Sequence, residues 1–166
     1  DCEGRLTGKP GICFVTRGPG ATNASPGIHI AMQDSTPMIL FIGQIHSRYT
    51  ERESFQEIDY RRMFGPMAKW VAQIDDAARI PELVSQAFHR AVSGRPGPVV
   101  LGLPEDMCVE ECETADVARY KLVRPAPTVG APDGGLGAGF GGDGVGRNDD
   151  GVDFDAAVAW PPTYRT

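Results

Sequence analysis

Apolar residues fall in short unbroken runs at 12–15, 38–42 and 99–103, each bounded by glycine, proline or polar residues. Runs this short and continuous predict strands buried on both faces. We expect strands over 11–16, 38–43 and 99–103. A less buried one is expected at 68–73, where Trp70 and Ala72 alternate with Lys69 and Gln73. Between the last two, Ile80, Leu83, Val84, Ala87, Phe88 and Ala91 recur at helical spacing and form one apolar face. Pro81 suits the first turn of that helix, and Gly94 its stop. An earlier helix is expected to begin at Thr22 or Asn23, either of which can cap it, or just after Pro26, and to run to about Gln33. Residues 51–62 read as a loop with some helix.

Strands alternating with helices, and apolar on both faces, predict a three-layer α/β/α domain with a mostly parallel, flavodoxin-like sheet. The chain of 166 residues is long enough for one such core. Composition changes near Pro125. Residues 130–166 hold ten of the 21 glycines, no lysine and no apolar period. Such a stretch buries too little surface to offset its ordering entropy. We therefore expect a domain over 1–118, and a linker with a disordered Gly/Asp-rich tail over 119–166.

Charge is mildly acidic, with 16 basic against 22 acidic residues and no basic cluster, which argues against nucleic acid as a partner. No apolar run is long enough to span a bilayer. Cys13 lies in a strand and reads as a small core residue. Cys108 and Cys112 are four apart, without the second pair or histidines of a zinc site. Reduced thiols in a cytoplasmic protein are the expectation. His46, alone in a loop, reads as a surface residue.

Residues 16–23, Thr-Arg-Gly-Pro-Gly-Ala-Thr-Asn, leave the first strand through a glycine-rich turn. Three readings stand open. One is a tight turn with no ligand. A second is a phosphate cradle at a helix start, although neither a Walker lysine nor Gly-x-Gly-x-x-Gly spacing is present. The third is a loop packed on a flat heterocycle, with Pro19 as an apolar edge and Asn23 as a donor and acceptor.

Several segments, in order and spacing, resemble one family: 8–13, 16–23, Gln33-Asp34-Ser35-Thr36-Pro37, Phe55-Gln56-Glu57, 93–98 and Pro104-Glu105-Asp106. They are similar to the N-terminal, pyrimidine-binding domain of thiamine-diphosphate-dependent enzymes, nearest the acetolactate synthase group. The resemblance implies that Gly18, Pro19, Gly20 and Asn23 lie along the aminopyrimidine of thiamine diphosphate. It implies that Gln56 reaches the cofactor's reactive face or a bound 2-keto acid. Magnesium and the diphosphate would be held by a separate domain on a second subunit, so that the active site lies between two chains. FAD is an optional further cofactor. Arg95 would touch it, or would instead cap a helix carboxyl end.

The departures shape the expectation. The family's glutamate, which protonates a ring nitrogen of the cofactor, would lie upstream of Asp1, together with the family's first strand and helix. Glu3 is too close to Gly8 to replace it. The opening Asp1-Cys2-Glu3-Gly4 reads as cut from something longer, which makes the sheet N-terminally truncated. Glu105 stands where acetolactate synthases proper carry a basic residue. Gly142-Asp143-Gly144 matches half of the family's metal–diphosphate motif, but its asparagine pair has no counterpart. Asn148-Asp149-Asp150-Gly151 has Ala157 where a calcium loop needs Glu. The expected function is pyrimidine-half binding within an acetolactate synthase-like decarboxylating and carboligating enzyme, inactive alone. The rival readings are a non-catalytic module that pairs with a full-length subunit through the sheet and the Phe55 region, and an independent flavodoxin-like nucleotide binder.

Overall fold

The computed structural model describes residues 1–114. The expected boundary at 118, the tail and its two Gly/Asp motifs lie outside them. Eight principal elements alternate along the chain: α1 (Cys2–Thr7), β1 (Gly11–Val15), α2 (Pro19–Gln33), β2 (Met38–Gln44), α3 (Tyr60–Phe64), β3 (Trp70–Gln73), α4 (Ile80–Val92) and β4 (Pro98–Pro104). The four strands form one sheet in the order β1-β2-β4-β3, and every pairing is parallel. This is the α/β fold with a flavodoxin-like sheet that the pattern predicts.

The unbroken apolar runs follow from the layers. In β2 and β4, Leu40, Ile42 and Val100 face one side, where Ala21 and Ile28 of α2 and Tyr60 and Phe64 of α3 cover them. Ile39, Phe41, Val99 and Leu101 face the other, under Ala87, Ala91 and Val92 of α4. A central strand between two helical layers has no polar face to offer. Cys13 is partly buried against the first of these clusters. Ile74, Ala77, Leu83 and Met107 make a smaller third cluster.

Among the described residues strand β1 is an edge. Its Ile12 and Phe14 are 54% and 69% exposed on the sheet face that α4 covers elsewhere, and Phe14 stacks on Phe41 with ring centroids 4.6 Å apart.

One boundary departs from expectation. Helix α2 begins at Pro19, so Thr22 and Asn23 lie inside it rather than capping it. Proline's missing N–H costs nothing in a first turn. Pro26, inside the helix, leaves the Thr22 carbonyl without its usual donor. The Ser25 hydroxyl donates to that carbonyl at 2.7 Å and takes the missing bond's place. Helix α4 ends at Val92, and Gly94 follows with φ 58°.

Among the described residues no helix is long and apolar enough to cross a membrane.

Candidate functional site

Parallel strands gather their carboxyl ends, and the loops that leave them, along one edge of the sheet. Here that edge carries the turn after β1, the loop from β2 to α3 and the segment after β4. The turn 16–18 is tight: Gly20 N–H donates to Arg17 O at 3.3 Å, and Thr22 N–H to Gly18 O at 3.0 Å. Gly18 caps α2 with φ 54° and ψ −104°, a conformation that a side chain would strain. A Cβ there would also lie 2.7 Å from Cβ of Gln56. At Gly20 a Cβ would come within 2.9 Å of Thr16 Cγ2. Close approach thus requires glycine at position 18, whereas at 20 the exposed Thr16 side chain would have to give way.

Gln56 is brought to Gly18 by an unusual loop. Glu51, Glu53 and Gln56 all have positive φ, at 61°, 54° and 67°. Left-handed conformations in non-glycine residues cost of order 1–3 kcal/mol each and persist only where neighbours over-determine them. Glu57 supplies the constraint. Its carboxylate accepts from Glu51 N–H at 2.7 Å and Ser54 N–H at 3.2 Å. The Ser54 hydroxyl donates to Tyr49 O at 2.9 Å. Phe55, at the tip, is 78% exposed.

Tyr60 joins the turn to the sheet. Its hydroxyl donates to Gly43 O at 2.9 Å and accepts from Gly18 N–H at 3.3 Å. Burial pushes the phenol above its ordinary pKa, against the opposing Gly18 N–H and Arg17 charge, so the proton that bonds Gly43 stays in place. Gln44, also buried, spans β2 and the loop: its amide donates to Ile58 O at 2.8 Å and accepts from Ile45 N–H at 3.0 Å. Arg17 pairs with Glu105, tying the turn after β1 to the segment after β4.

Further along the edge, His46 Nδ1 accepts from Arg48 N–H at 3.2 Å and lies 3.6 Å from Asp106 Oδ2. Asp106 also accepts from the Ser47 N–H and hydroxyl. Desolvation pushes its carboxyl up, but those two bonds and the nearby His46 outweigh it and hold the group below the ordinary range. His46 is half-exposed, and the turn it caps is the 3-10 turn Ser47–Tyr49.

The structure therefore brings Gly18 and Gln56 into contact, with Pro19 and Gly20 next in the turn. Asn23 lies one helical turn beyond Pro19 on α2, and both are exposed. A cleft of about 250 Å³ is lined by residues that include Gln44, Glu51, Tyr60, Gln73 and Asp75. None of the five expected cofactor residues lines it. Arg95 is at the opposite edge, where Nε donates to Ser35 Oγ at 2.6 Å and Nη2 to Met32 O at 3.0 Å and Gln33 O at 3.3 Å. Its guanidinium caps the carboxyl end of α2, which is one of its two sequence readings. Cys2, Cys108 and Cys112 are exposed, and the described residues contain no cluster of three metal-ligating side chains.

Tyr60, Glu57 and Gln44 were not singled out by residue pattern. Glu57 carried a signal, since it completes the Phe55-Gln56-Glu57 segment. Tyr60 carried none beyond its place among charged residues.

The fold and this edge define an α/β domain of the parallel-sheet class, with a bare-backbone turn at the carboxyl end of its first strand. Residues 1–63 match the family described as thiamine pyrophosphate enzyme, N-terminal TPP binding domain. The chain is 39% identical over 130 residues to a probable acetolactate synthase large subunit of Methanococcus aeolicus, covering 78% of this chain and 21% of that protein. It is 43% identical over 107 residues to the acetolactate synthase large subunit of Lactococcus lactis, covering 64% and 19%. With a mitochondrial acetolactate synthase catalytic subunit of Aspergillus candidus it shares 36% over 132 residues, covering 80% and 18%. This region is an N-terminal, thiamine-diphosphate-binding domain of the acetolactate synthase-like kind. The chain spans about a fifth of the length of these relatives.

Proposed function

We propose that this domain holds the aminopyrimidine half of thiamine diphosphate, as one side of an active site that acts on a small 2-keto acid. The contact between Gly18 and Gln56 supports this reading most, because it joins a bare-backbone turn to a carboxamide at the carboxyl edge of the sheet. Pro19 offers an apolar edge for a flat ring. Asn23, on the same face of α2, and Gln56 offer amides that both donate and accept, which suits a ring with acceptor nitrogens and an exocyclic amine. The cofactor supplies the electronic step when bound, and these residues would orient it.

On this reading the diphosphate and magnesium belong to a domain of a second subunit, in line with the large subunits and catalytic subunit among the relatives. Where FAD binds, it would find Nε and Nη2 of Arg95 already engaged by the end of α2. The described residues 1–114 act as the pyrimidine-side domain. Calorimetry with thiamine diphosphate tests this division. Weak, magnesium-independent binding is expected. Tight binding that requires magnesium would contradict it, as would no binding at millimolar cofactor.

A second reading, a non-catalytic module that pairs with a full-length subunit, draws on the exposed Phe55. Co-elution with an intact acetolactate synthase large subunit in size-exclusion chromatography, lost in Phe55→Ser, would favour it.

A further inference from the structure

Tyr60 touches three glycines from three different strands or their turns. Its hydroxyl reaches Gly18 after β1 and Gly43 near the end of β2. Its ring edge abuts Gly102 of β4, where a Cβ would come within 3.3 Å of Cδ2. The ring itself is fixed in the core: Tyr60 is 4% exposed, packs in the cluster with Leu40, Ile42 and Val100, and meets Phe64 at 6.4 Å between centroids. The phenol oxygen is thus a fixed point, held by apolar packing on one side and by the Gly43 carbonyl on the other.

The bond to Gly18 then has a consequence. Gly18 is buried, and its ψ of −104° directs the chain into α2. A buried N–H needs an acceptor, and the Tyr60 hydroxyl accepts from it. The same residue begins α3, four positions after Gln56, whose backbone and Cβ press on Gly18. The turn is gripped from one side by Gln56 and from beneath by Tyr60. Tyr60 is also among the residues lining the cleft of about 250 Å³.

We infer that Tyr60 is a positioning residue for the Gly18-Pro19-Gly20 turn: its hydroxyl sets the height of the turn above the sheet, and hence the seat offered to the pyrimidine. The inference deepens the proposed function and rests on it for the identity of the ligand. It concerns Gly18 directly, however, and that part stands without any ligand.

The test uses the full chain, isotopically labelled, and the variant Tyr60→Phe, which keeps the ring and removes only the hydroxyl. Gly18 amide exchange should quicken about tenfold or more in the variant, while the amides of Leu40 and Val100 keep their protection. A merely structural role would quicken all three together. With thiamine as the probe, the concentration needed to half-shift the Gly20 and Gln56 amides should rise several-fold in Tyr60→Phe. Should the variant fail to fold, the native chain decides: a slowly exchanging Tyr60 hydroxyl proton should show a cross-relaxation peak to the Gly18 amide proton. Unchanged Gly18 exchange, or the absence of that peak, overturns the inference. If thiamine shifts nothing in the native chain while Gly18 exchange responds as expected, the pyrimidine reading fails and the positioning of the turn stands.

Discussion

Gly18 and Gln56 touch across the carboxyl edge of the sheet so closely that a methyl group on the glycine would lie 2.7 Å from the glutamine Cβ. The relationship joins two segments 38 positions apart in sequence, each held in a left-handed backbone conformation. Replacing Gly18 by Ala adds both the backbone strain and the clash. A loss of about 2–3 kcal/mol is expected in urea unfolding, together with movement of the Gln56 amide resonance.

Glu57 is the second lever on the same contact. Its two backbone bonds secure a loop whose Glu51, Glu53 and Gln56 are otherwise strained. In Glu57→Ala, limited proteolysis should cut within 51–56 well before the native chain is cut there. Global stability should fall by only about 1 kcal/mol, since the loop lies outside the core.

Asp106 makes stability depend on pH in a known direction. Its carboxyl is depressed in the fold from an ordinary value of 3.8. It therefore stabilises the native state above that ordinary value, and the contribution is lost as pH falls through the lower folded value. Asp106→Asn should unfold at a lower urea concentration than the native chain at pH 7. The gap between the two midpoints should close as the pH is taken below the carboxyl range.

Phe14 and Ile12 lie on an edge strand with open backbone groups, an arrangement that invites pairing with another chain. Phe14→Thr should keep the strand and reduce self-association in light scattering at raised concentration. Losing the stack on Phe41 should cost about 1 kcal/mol.

Much of this arrangement was legible in the residues, and the exceptions share a cause. The apolar runs of β2 and β4 and the single face of α4 report burial directly, and burial is what builds the sheet. The Gly18 turn was legible because glycine is demanded wherever backbone must bend past another chain segment. The start of α2 at Pro19 departs from the pattern because Pro26 reads as a barrier. The Ser25 hydroxyl, a local side-chain donor, takes up the Thr22 carbonyl that Pro26 leaves without a partner. The role of Tyr60 was not legible at all. It depends on two backbone groups 42 and 17 positions away, which no local pattern encodes. The strained loop was equally silent, because its conformation is imposed by Glu57 rather than preferred by Glu51, Glu53 or Gln56. The single observation that named Gln56 was family resemblance, not spacing.

The account stands most directly on where a pyrimidine binds. Titrating the labelled chain with thiamine and following backbone amides locates it. Shifts concentrated at Gly18, Gly20, Asn23 and Gln56, with residues near Arg95 unmoved, are the expected result. Saturable shifts centred elsewhere, or none at millimolar thiamine, would contradict it.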